Sequence, residues 1–291
     1  MIVTAVSLFV LNASRAGRSM VGCAEGCAAR RERRTGPLRI VSLNILHGFP
    51  LFKNLPLRLD LIAAELQRLD ADIVLLQETP WTVRIGYGAE YLAKQLGYNY
   101  LYYRANGNHA LIFFEEGEAI LSRFPLKAPI LIELKPCVGW FESRVSFGAT
   151  ALMLWGEVTS FVTHLTDKNP VVRVGQAESL RQFVEMHKGA ITLVAGDFNS
   201  DEASPAISEL ARRWSDTYRM RHPTEAGLTC CIDNLTRGPD EPLEKRIDYI
   251  FMLPGSGKLV DSKRVFDQPF PVPGGWQWAS DHTGLMVEIE P

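Results

Sequence analysis

Short apolar runs rich in β-branched residues recur along the chain from about residue 38, and each of them predicts a strand. The run LRIVSLNIL (38–46) comes first. The next one, ADIVLLQE (71–78), is continuous, which is typical of a strand buried on both faces. Further strands are predicted at 98–103, 110–114, 119–122, 144–154, 157–165, 191–196, 246–253 and 285–290.

Apolar residues at helical spacing separate several of these strands. Residues 57–70 place four leucine and isoleucine side chains on one face, and residues 89–97 end at Gly97, a residue that commonly closes helices. A third helix is predicted over about 170–188, and Ser204-Pro205 is typical of a helix start. The third helix is expected to turn Val171, Val174, Leu180 and Val184 inward.

The order of these elements is mixed and does not alternate as βαβ units, which argues against a parallel Rossmann or TIM architecture. We therefore predict an α/β (α+β) fold in which two sheets pack face to face with helices on their outer faces. Residues 37–291 are expected to form a single domain. Residues 1–36 are expected to be an arm outside the fold, either flexible, a targeting segment or the product of a misassigned start codon.

Several predicted strands finish in a residue that can bind a metal or move a proton. Each position alone has an ordinary explanation, because asparagine and aspartate form turns and a single glutamate or histidine is usually exposed or hydrogen-bonded. Sheets packed face to face bring strand ends to common rims, so their joint occurrence indicates one site. The residues are Asn44, Glu78, His164, Asp197, Asn199, Asp248, Asp281 and His282.

The composition, 46% hydrophobic and 22% charged, is that of a globular protein and excludes disordered and collagen-like classes. Residues 1–36 hold six arginines and two glutamates, while residues 37–291 hold 25 basic and 31 acidic residues. An acidic body has no overall field that attracts polyanions, which weighs against a non-specific nucleic-acid binder.

The five cysteines, at positions 23, 27, 137, 230 and 231, do not indicate a disulfide framework. We expect reduced thiols and a cytoplasmic protein. The alternative is export or lipid anchoring by residues 1–23, because Met20–Cys23 weakly resembles a lipoprotein cleavage box. The apolar run at 1–13 is too short to span a bilayer.

Seven segments occur in an order that resembles the endonuclease/exonuclease/phosphatase superfamily. They are SLNILHG, DIVLLQET, AILSRFPL, FVTHL, LVAGDFNS, KRIDYIF and WASDHTG, and the resemblance, to a bacterial-type branch, runs from about residue 38 to 290. This superfamily includes DNase I, repair exonucleases, neutral sphingomyelinases, deadenylases and inositol-polyphosphate 5-phosphatases. The resemblance implies a four-layered DNase I-like sandwich with two mixed, mostly antiparallel sheets. It also implies a divalent-metal phosphoesterase.

The resemblance implies a metal site at one rim of the sheets. Glu78 would be the principal ligand, assisted by Asn44 and, through water, by Asp281. Hard oxygen ligands with few imidazoles favour Mg²⁺, or Mn²⁺, over zinc. Such an ion neutralises the phosphoryl oxygens and the charge that develops on the leaving group. Arg144 resembles a substrate-facing arginine, although a surface salt bridge explains it better.

The remaining positions carry catalytic roles by the same resemblance. Asp197 would orient and deprotonate the attacking water, and Asn199 would hold the phosphate or the nucleophile. His282 would pair with Asp248, and His164 would be the second histidine facing the phosphate. A carboxylate that holds a histidine fixes its tautomer and stabilises its charged form, so this pairing suits the chemistry independently of the resemblance.

The substrate stays open among nucleic acid, phospholipid and small phosphoesters. We favour a nuclease-type phosphodiesterase. Six tyrosines between residues 87 and 103 could stack on bases, although β-propensity explains them better. The inositol 5-phosphatase branch is disfavoured because Lys245-Arg246 stands where it carries a Cys-Asp-Arg run.

Two alternatives remain beside the nuclease. A lipid phosphodiesterase of the neutral sphingomyelinase type would need an exposed apolar hairpin, for which residues 269–278 are the candidate. A non-catalytic binding module on the same fold is the alternative from a different class, but none of the ligand or base positions is missing. We expect a monomer without an obligate protein partner.

Overall fold

The computed structural model describes residues 16–17, 20–28, 36–139 and 142–290. The elements in chain order are β1 (Val21–Cys23), β2 (Leu38–Asn44), α1 (Leu55–Arg68), β3 (Ile73–Thr82), β4 (Gly86–Tyr87), α2 (Gly88–Leu96), β5 (Asn99–Asn108), β6 (Phe114–Ser122), β7 (Leu126–Glu133), β8 (Val145–Met153), β9 (Gly156–His164), α3 (Pro170–His187), β10 (Ile191–Asp197), α4 (Pro205–Ala211), β11 (Ser215–Asp216), α5 (Thr217–Arg221), β12 (Asp248–Met252), β13 (Lys258–Val265), β14 (Phe270–Val272), β15 (Gly275–Gln277) and β16 (Gly284–Glu290).

Most strands belong to two large sheets. The first has the order β1-β5-β6-β3-β2-β16-β13 with β4 added beside β3, and the second has the order β11-β12-β10-β9-β8-β7. Each sheet contains one parallel pair, β2 with β3 and β9 with β10, and its other pairs are antiparallel. Strands β14 and β15 form a separate hairpin.

Three apolar clusters define four layers. The largest lies between the sheets and joins residues such as Leu75 and Ile120 of the first to Phe147 and Leu193 of the second. A second cluster packs α1 and α2 on the outer face of the first sheet. A third packs α3 and α4 on the outer face of the second. The four-layered sandwich with mixed, mostly antiparallel sheets is therefore confirmed.

The helix boundaries follow the local signals in the sequence. Gly97 closes α2 in the left-handed conformation, at φ 67°, which glycine adopts at low cost. The Ser204 hydroxyl accepts a hydrogen bond from the backbone N–H of Ile207 at 3.3 Å and so caps the start of α4. None of the helices in the described part of the chain is long and apolar enough to cross a membrane.

Some predicted elements are wrong. Residues 110–113 form the turn between β5 and β6 rather than a strand, and β7 was missed because much of this edge strand is exposed and breaks the apolar pattern. In α3, Val171 and Val174 are 80% and 40% exposed. The buried face of this helix begins only at Gln176, because its first turn does not reach the core.

The arm expected at 1–36 is corrected where the structure describes it. Residues 21–23 form β1 on the edge of the first sheet, and the carbonyl of Ala24 accepts a hydrogen bond from the N–H of Leu126 at 2.8 Å. Residues 1–15, 18–19 and 29–35 lie outside the described residues. The expectation of reduced thiols is wrong for four of the five cysteines, because Cys23 pairs with Cys27 and Cys230 pairs with Cys231 in disulfides, while Cys137 is free.

Candidate functional site

Three of the predicted site residues stand in one row across neighbouring strands of the second sheet. Asp197 at the end of β10 is in register with His164 on β9 and with Asp248 on β12. Residues in register on adjacent strands lie about 5 Å apart and point to the same face, so the three side chains converge. All three are buried. We call His164, Asp197 and Asp248 the strand-end row.

The glycine before Asp197 is required by a close approach of two backbones. A Cβ atom at Gly196 would lie 1.9 Å from the carbonyl oxygen of Thr163 on β9. This distance is far inside van der Waals contact, so a side chain at this position would push β10 away from β9. The motif GDFN therefore contains a structural glycine next to its functional aspartate.

The first sheet contributes Asn44 and Glu78. The pairing of β3 with β6 shifts register between Leu76 and Thr79, and Glu78 in this irregularity has a left-handed φ of 52°. Bulges of this kind re-aim a side chain, and strained backbone of this kind clusters at functional sites. The side-chain nitrogen of Asn44 donates to Glu78 Oε1 at 3.1 Å and to Asp197 Oδ2 at 3.2 Å. Asn44 therefore joins the two sheets at the site.

His282 lies between Asp248 and Asp197. Its Nδ1 is 2.9 Å from Asp248 Oδ2, and its Nε2 is 3.8 Å from Asp197 Oδ2. Burial alone would lower the pKa of His282. The charge and hydrogen bond of Asp248, together with the charge of Asp197, outweigh burial and raise this pKa well above its usual value. The environment of His282 therefore favours its charged form, and its Nε2 lies between Asp197 Oδ2 and Cys230 Sγ, which is 3.5 Å away.

His164 is a neutral counterpart on the other side of Asp197. Its Nε2 is 3.3 Å from Asp197 Oδ2 and 3.0 Å from the side-chain nitrogen of Asn199, which also donates to the carbonyl of Leu165 at 3.0 Å. Burial, followed by the charge of Arg144, lowers the pKa of His164 well below its usual value. Asn199 is held with a left-handed φ of 48°, and its backbone N–H donates to Asp197 Oδ1 at 2.8 Å.

Asp197 is the group best placed to exchange a proton near neutral pH. Burial and the neighbouring charge of Asp248 raise its pKa to about 7, against the opposing effects of His282 and of the Asn199 and Asn44 hydrogen bonds. A carboxyl group with such a pKa is suited to general base catalysis.

The donors around Glu78 fit a divalent cation. Asp281 is partly exposed, and desolvation and then the negative charge of Glu78 raise its pKa, so the two carboxylates repel each other. A bound cation would remove this repulsion, and the Asn44 carbonyl would complete a set of hard oxygen donors. Asp197, Asp248 and His282 also offer ligand atoms within 4.8 Å of one another.

Two residues that sequence reasoning missed support this donor set. Arg58 of α1 is buried, and its guanidinium donates to the carbonyls of Ile45 and Ala279 at 2.8 and 3.0 Å, which fixes the backbone beside Asn44 and Asp281. His47 places its Nε2 3.4 Å from Glu78 Oε2. The sequence does not single out Arg58, because α1 also carries Asp60, Glu65 and Arg68. His47 stands three residues after Asn44, within the segment SLNILHG.

The interpretation of Arg144 as a member of a surface salt bridge is wrong. Its side chain is only 12% exposed, and it pairs with Glu142 at 2.9 Å and with Asp167 at 3.4 Å. It lines a cleft of about 520 Å³ together with Arg173 and Lys245. Seven of the nine predicted site residues thus lie in one contact network around Asn44 and Asp197. Asp281 interacts with Glu78 and His282 through charge, and Arg144 forms a basic part of the cleft wall.

The segment that carries all of these site residues matches the model of a known family. The model of the Endonuclease/Exonuclease/phosphatase family matches residues 41–282, which is more than half of the chain. The chain therefore belongs to this family, whose members are typically hydrolases acting on phosphoesters. No match is found among curated proteins.

Solved structures support the same fold at low sequence identity. A mannosyl-6-phosphatase of Bacteroides thetaiotaomicron is 20% identical, with 87% of this chain and 100% of that chain covered and a TM-score of 0.69. A family member from Leptotrichia buccalis is also 20% identical, with the same coverage and a TM-score of 0.67. Truncated TDP2 of Caenorhabditis elegans is 18% identical, with 87% and 97% covered and a TM-score of 0.64.

Proposed function

We propose that the protein is a divalent-metal-dependent phosphoric ester hydrolase that cleaves a phosphodiester by in-line attack of an activated water. The observation that carries this proposal is the amide of Asn44. It ties Glu78, which fits a cation, to Asp197, which fits a general base, across the two sheets. Phosphodiester hydrolysis needs both charge neutralisation and a base near the attacking water.

The chain's own residues have the following roles in this proposal. Asp197 accepts a proton from the attacking water, and Asp248 holds His282 so that its Nε2–H stabilises negative charge on the phosphoryl group. Asn199 and His164 position the phosphate on the opposite side. Mg²⁺ or Mn²⁺ held by Glu78, Asn44 and Asp281 would supply neutralisation of the phosphoryl oxygens.

The nuclease-type substrate favoured by the sequence stays a prediction, and one argument for it is weakened, because three of the six tyrosines are buried. Tyr98, Tyr102 and Tyr103 are at most 7% exposed and serve the core, so they cannot stack on bases. The argument that residues 269–278 form the exposed apolar hairpin of a lipid phosphodiesterase is weakened too, because Trp278 is buried and only Trp276, at 41%, is exposed. One structural neighbour is named as a phosphatase, which keeps small phosphoesters among the candidates.

The first test is hydrolysis of bis-p-nitrophenyl phosphate by the purified full chain. We expect turnover with Mg²⁺ or Mn²⁺ and its loss on addition of EDTA. A side-by-side panel of plasmid DNA, oligo-RNA, sphingomyelin and phosphomonoesters then ranks the substrates. A folded protein that hydrolyses no phosphoester under these conditions would refute the proposal and support the non-catalytic binding module.

A further inference from the structure

Three loops at the site end of the first sheet present large apolar side chains to solvent. Phe49, Leu51, Val83, Ile112 and Phe113 are 44%, 70%, 71%, 46% and 60% exposed, and we call these five residues the apolar rim. They surround a hollow of about 470 Å³. Single exposed apolar residues are common, but a contiguous group is typical of an interaction surface.

The apolar rim is attached directly to the candidate active site. The ring of Phe49 stacks on that of Phe114 at 4.6 Å between centroids, and Phe114 lies 4.9 Å from the ring of His47. His47 in turn contacts Glu78. A second hollow, of about 570 Å³, runs from Phe49 and Leu51 to Asp281. Whatever covers the rim therefore also covers the mouth of the site.

The charge of the rim differs from that of the rest of the protein. Residues 46–57, 79–88 and 105–114, which carry the rim, contain no aspartate or glutamate, although the sequence from residue 37 onward has an acidic excess. Within these segments Lys53 and Arg84 are exposed. The acidic residues beside the rim, Asp233 and Asp281, line the second hollow on the side of the candidate site. Apolar side chains whose own loops carry cations and no anions are complementary to a surface that combines acyl chains with anionic headgroups.

We propose that the apolar rim docks on an anionic phospholipid surface, so that the cleft acts on phosphoesters carried by that surface. The second part of this statement rests on the proposed function, whereas the docking does not. The rim side chains enter the boundary between headgroups and acyl chains, and Lys53 and Arg84 contact the anionic headgroups. The loops that contact lipid in this proposal are therefore different from the hairpin at 269–278, which was the candidate from the sequence.

The test is co-sedimentation of the full chain with vesicles. We compare vesicles of phosphatidylcholine alone with vesicles of phosphatidylcholine and phosphatidylglycerol in equal parts. We expect binding to the anionic vesicles only, and binding that weakens as salt is raised. The double variant Leu51→Ser/Val83→Ser removes two rim side chains that are about 70% exposed, so it should fold normally. It should lower vesicle binding about tenfold or more, since each buried aliphatic side chain contributes substantially.

Leu154→Ser is the matched control. Leu154 is 81% exposed and lies in the turn between β8 and β9, at the opposite end of β9 from His164. This variant should bind vesicles as the wild type does. All three proteins should hydrolyse bis-p-nitrophenyl phosphate equally, because a soluble diester does not need the surface.

The outcomes separate the two proposals. Absence of binding to anionic vesicles, or equal binding by the wild type and the double variant, would overturn the docking proposal. A concentration-dependent dimer in analytical ultracentrifugation that the double variant abolishes would overturn it too, since a second copy would then cover the rim. Rim-dependent vesicle binding without any diester turnover would support docking and refute the proposed function.

Discussion

The strand-end row and the apolar rim lie side by side at one end of the sandwich, but the first is built from strands and the second from loops. Register fixes the row: Asp197 faces His164 and Asp248 because three strands pair in one alignment. The rim depends on where loops project, and its residues are largely exposed. Rigid strand ends suit chemistry that needs exact positions, whereas exposed loops suit recognition of a surface.

The largest effect should come from Asp197→Ala. Removing the base should lower turnover of bis-p-nitrophenyl phosphate at least about 10³-fold, in the range known for general base catalysis combined with charge positioning. Vesicle binding should not change, because the rim is intact. Asp261→Ala is the control, because it removes a partly exposed carboxylate on the edge strand β13 of the first sheet, whereas Asp197 lies in the second sheet. Turnover within tenfold of the wild type would show that Asp197 is not the base.

Asp248→Asn should have the next largest effect. The variant keeps the shape of the side chain but removes the charge that holds His282 in its charged form, so kcat should fall about 10²-fold or more. Steady-state kinetics should show a smaller change in KM. The control is His187→Ala, an exposed histidine at the end of α3. A change confined to KM would contradict the role of the pair.

Arg58→Met should damage both regions at once. Arg58 donates to backbone carbonyls beside Asn44 and Asp281. Its Nη2 also donates to the carbonyl of Leu46 at 2.8 Å, three residues before the rim residue Phe49. Loss of these bonds should lower the free energy of unfolding by about 3 kcal/mol, measured by urea denaturation. Diester turnover and vesicle binding should both weaken.

Arg68→Met on the same helix is the control for Arg58→Met. Arg68 is 70% exposed and pairs only with Glu65 among the described residues. An exposed pair of this kind contributes at most about 1 kcal/mol. Equal destabilisation by the two variants would show that burial of Arg58 has no special role.

The smallest effect concerns Glu118 on β6, which is almost fully buried and whose Oε2 has no hydrogen-bond partner in the described part of the chain. Burial and then the charge of Glu116 raise the pKa of Glu118 well above its usual value. The folded protein therefore keeps a proton that the unfolded chain releases, and stability is lost as pH rises above the unfolded value. Glu118→Gln removes this loss.

The melting temperature of Glu118→Gln should therefore exceed that of the wild type by a margin that grows from about pH 5 to about pH 8. Glu157→Gln, an exposed change at the β8–β9 turn, should show no such trend. A margin that stays constant across this range would mean that Glu118 ionises normally in the folded protein.

The strand-end residues could be predicted from the sequence because each interrupts an apolar run, and period and burial were enough to place them on sheet ends. The direction of the Glu78 side chain could not be predicted, since it depends on the register shift between β3 and β6. Arg58 was missed because helical spacing does not show which backbone carbonyls lie beside a helix. The rim was missed for a related reason: residues 110–113 are as apolar as a strand, and only the tertiary structure leaves them exposed.

Because Asn44 bonds to residues of both sheets, the candidate active site forms only when the two sheets are packed together. Glu78 comes from the first quarter or so of the chain and Asp197 from the second half, and neither sheet alone holds both. Turnover is therefore a direct measure of sheet-to-sheet docking during folding. In a refolding experiment, activity should return with the burial of the inter-sheet core and not with the earlier formation of secondary structure.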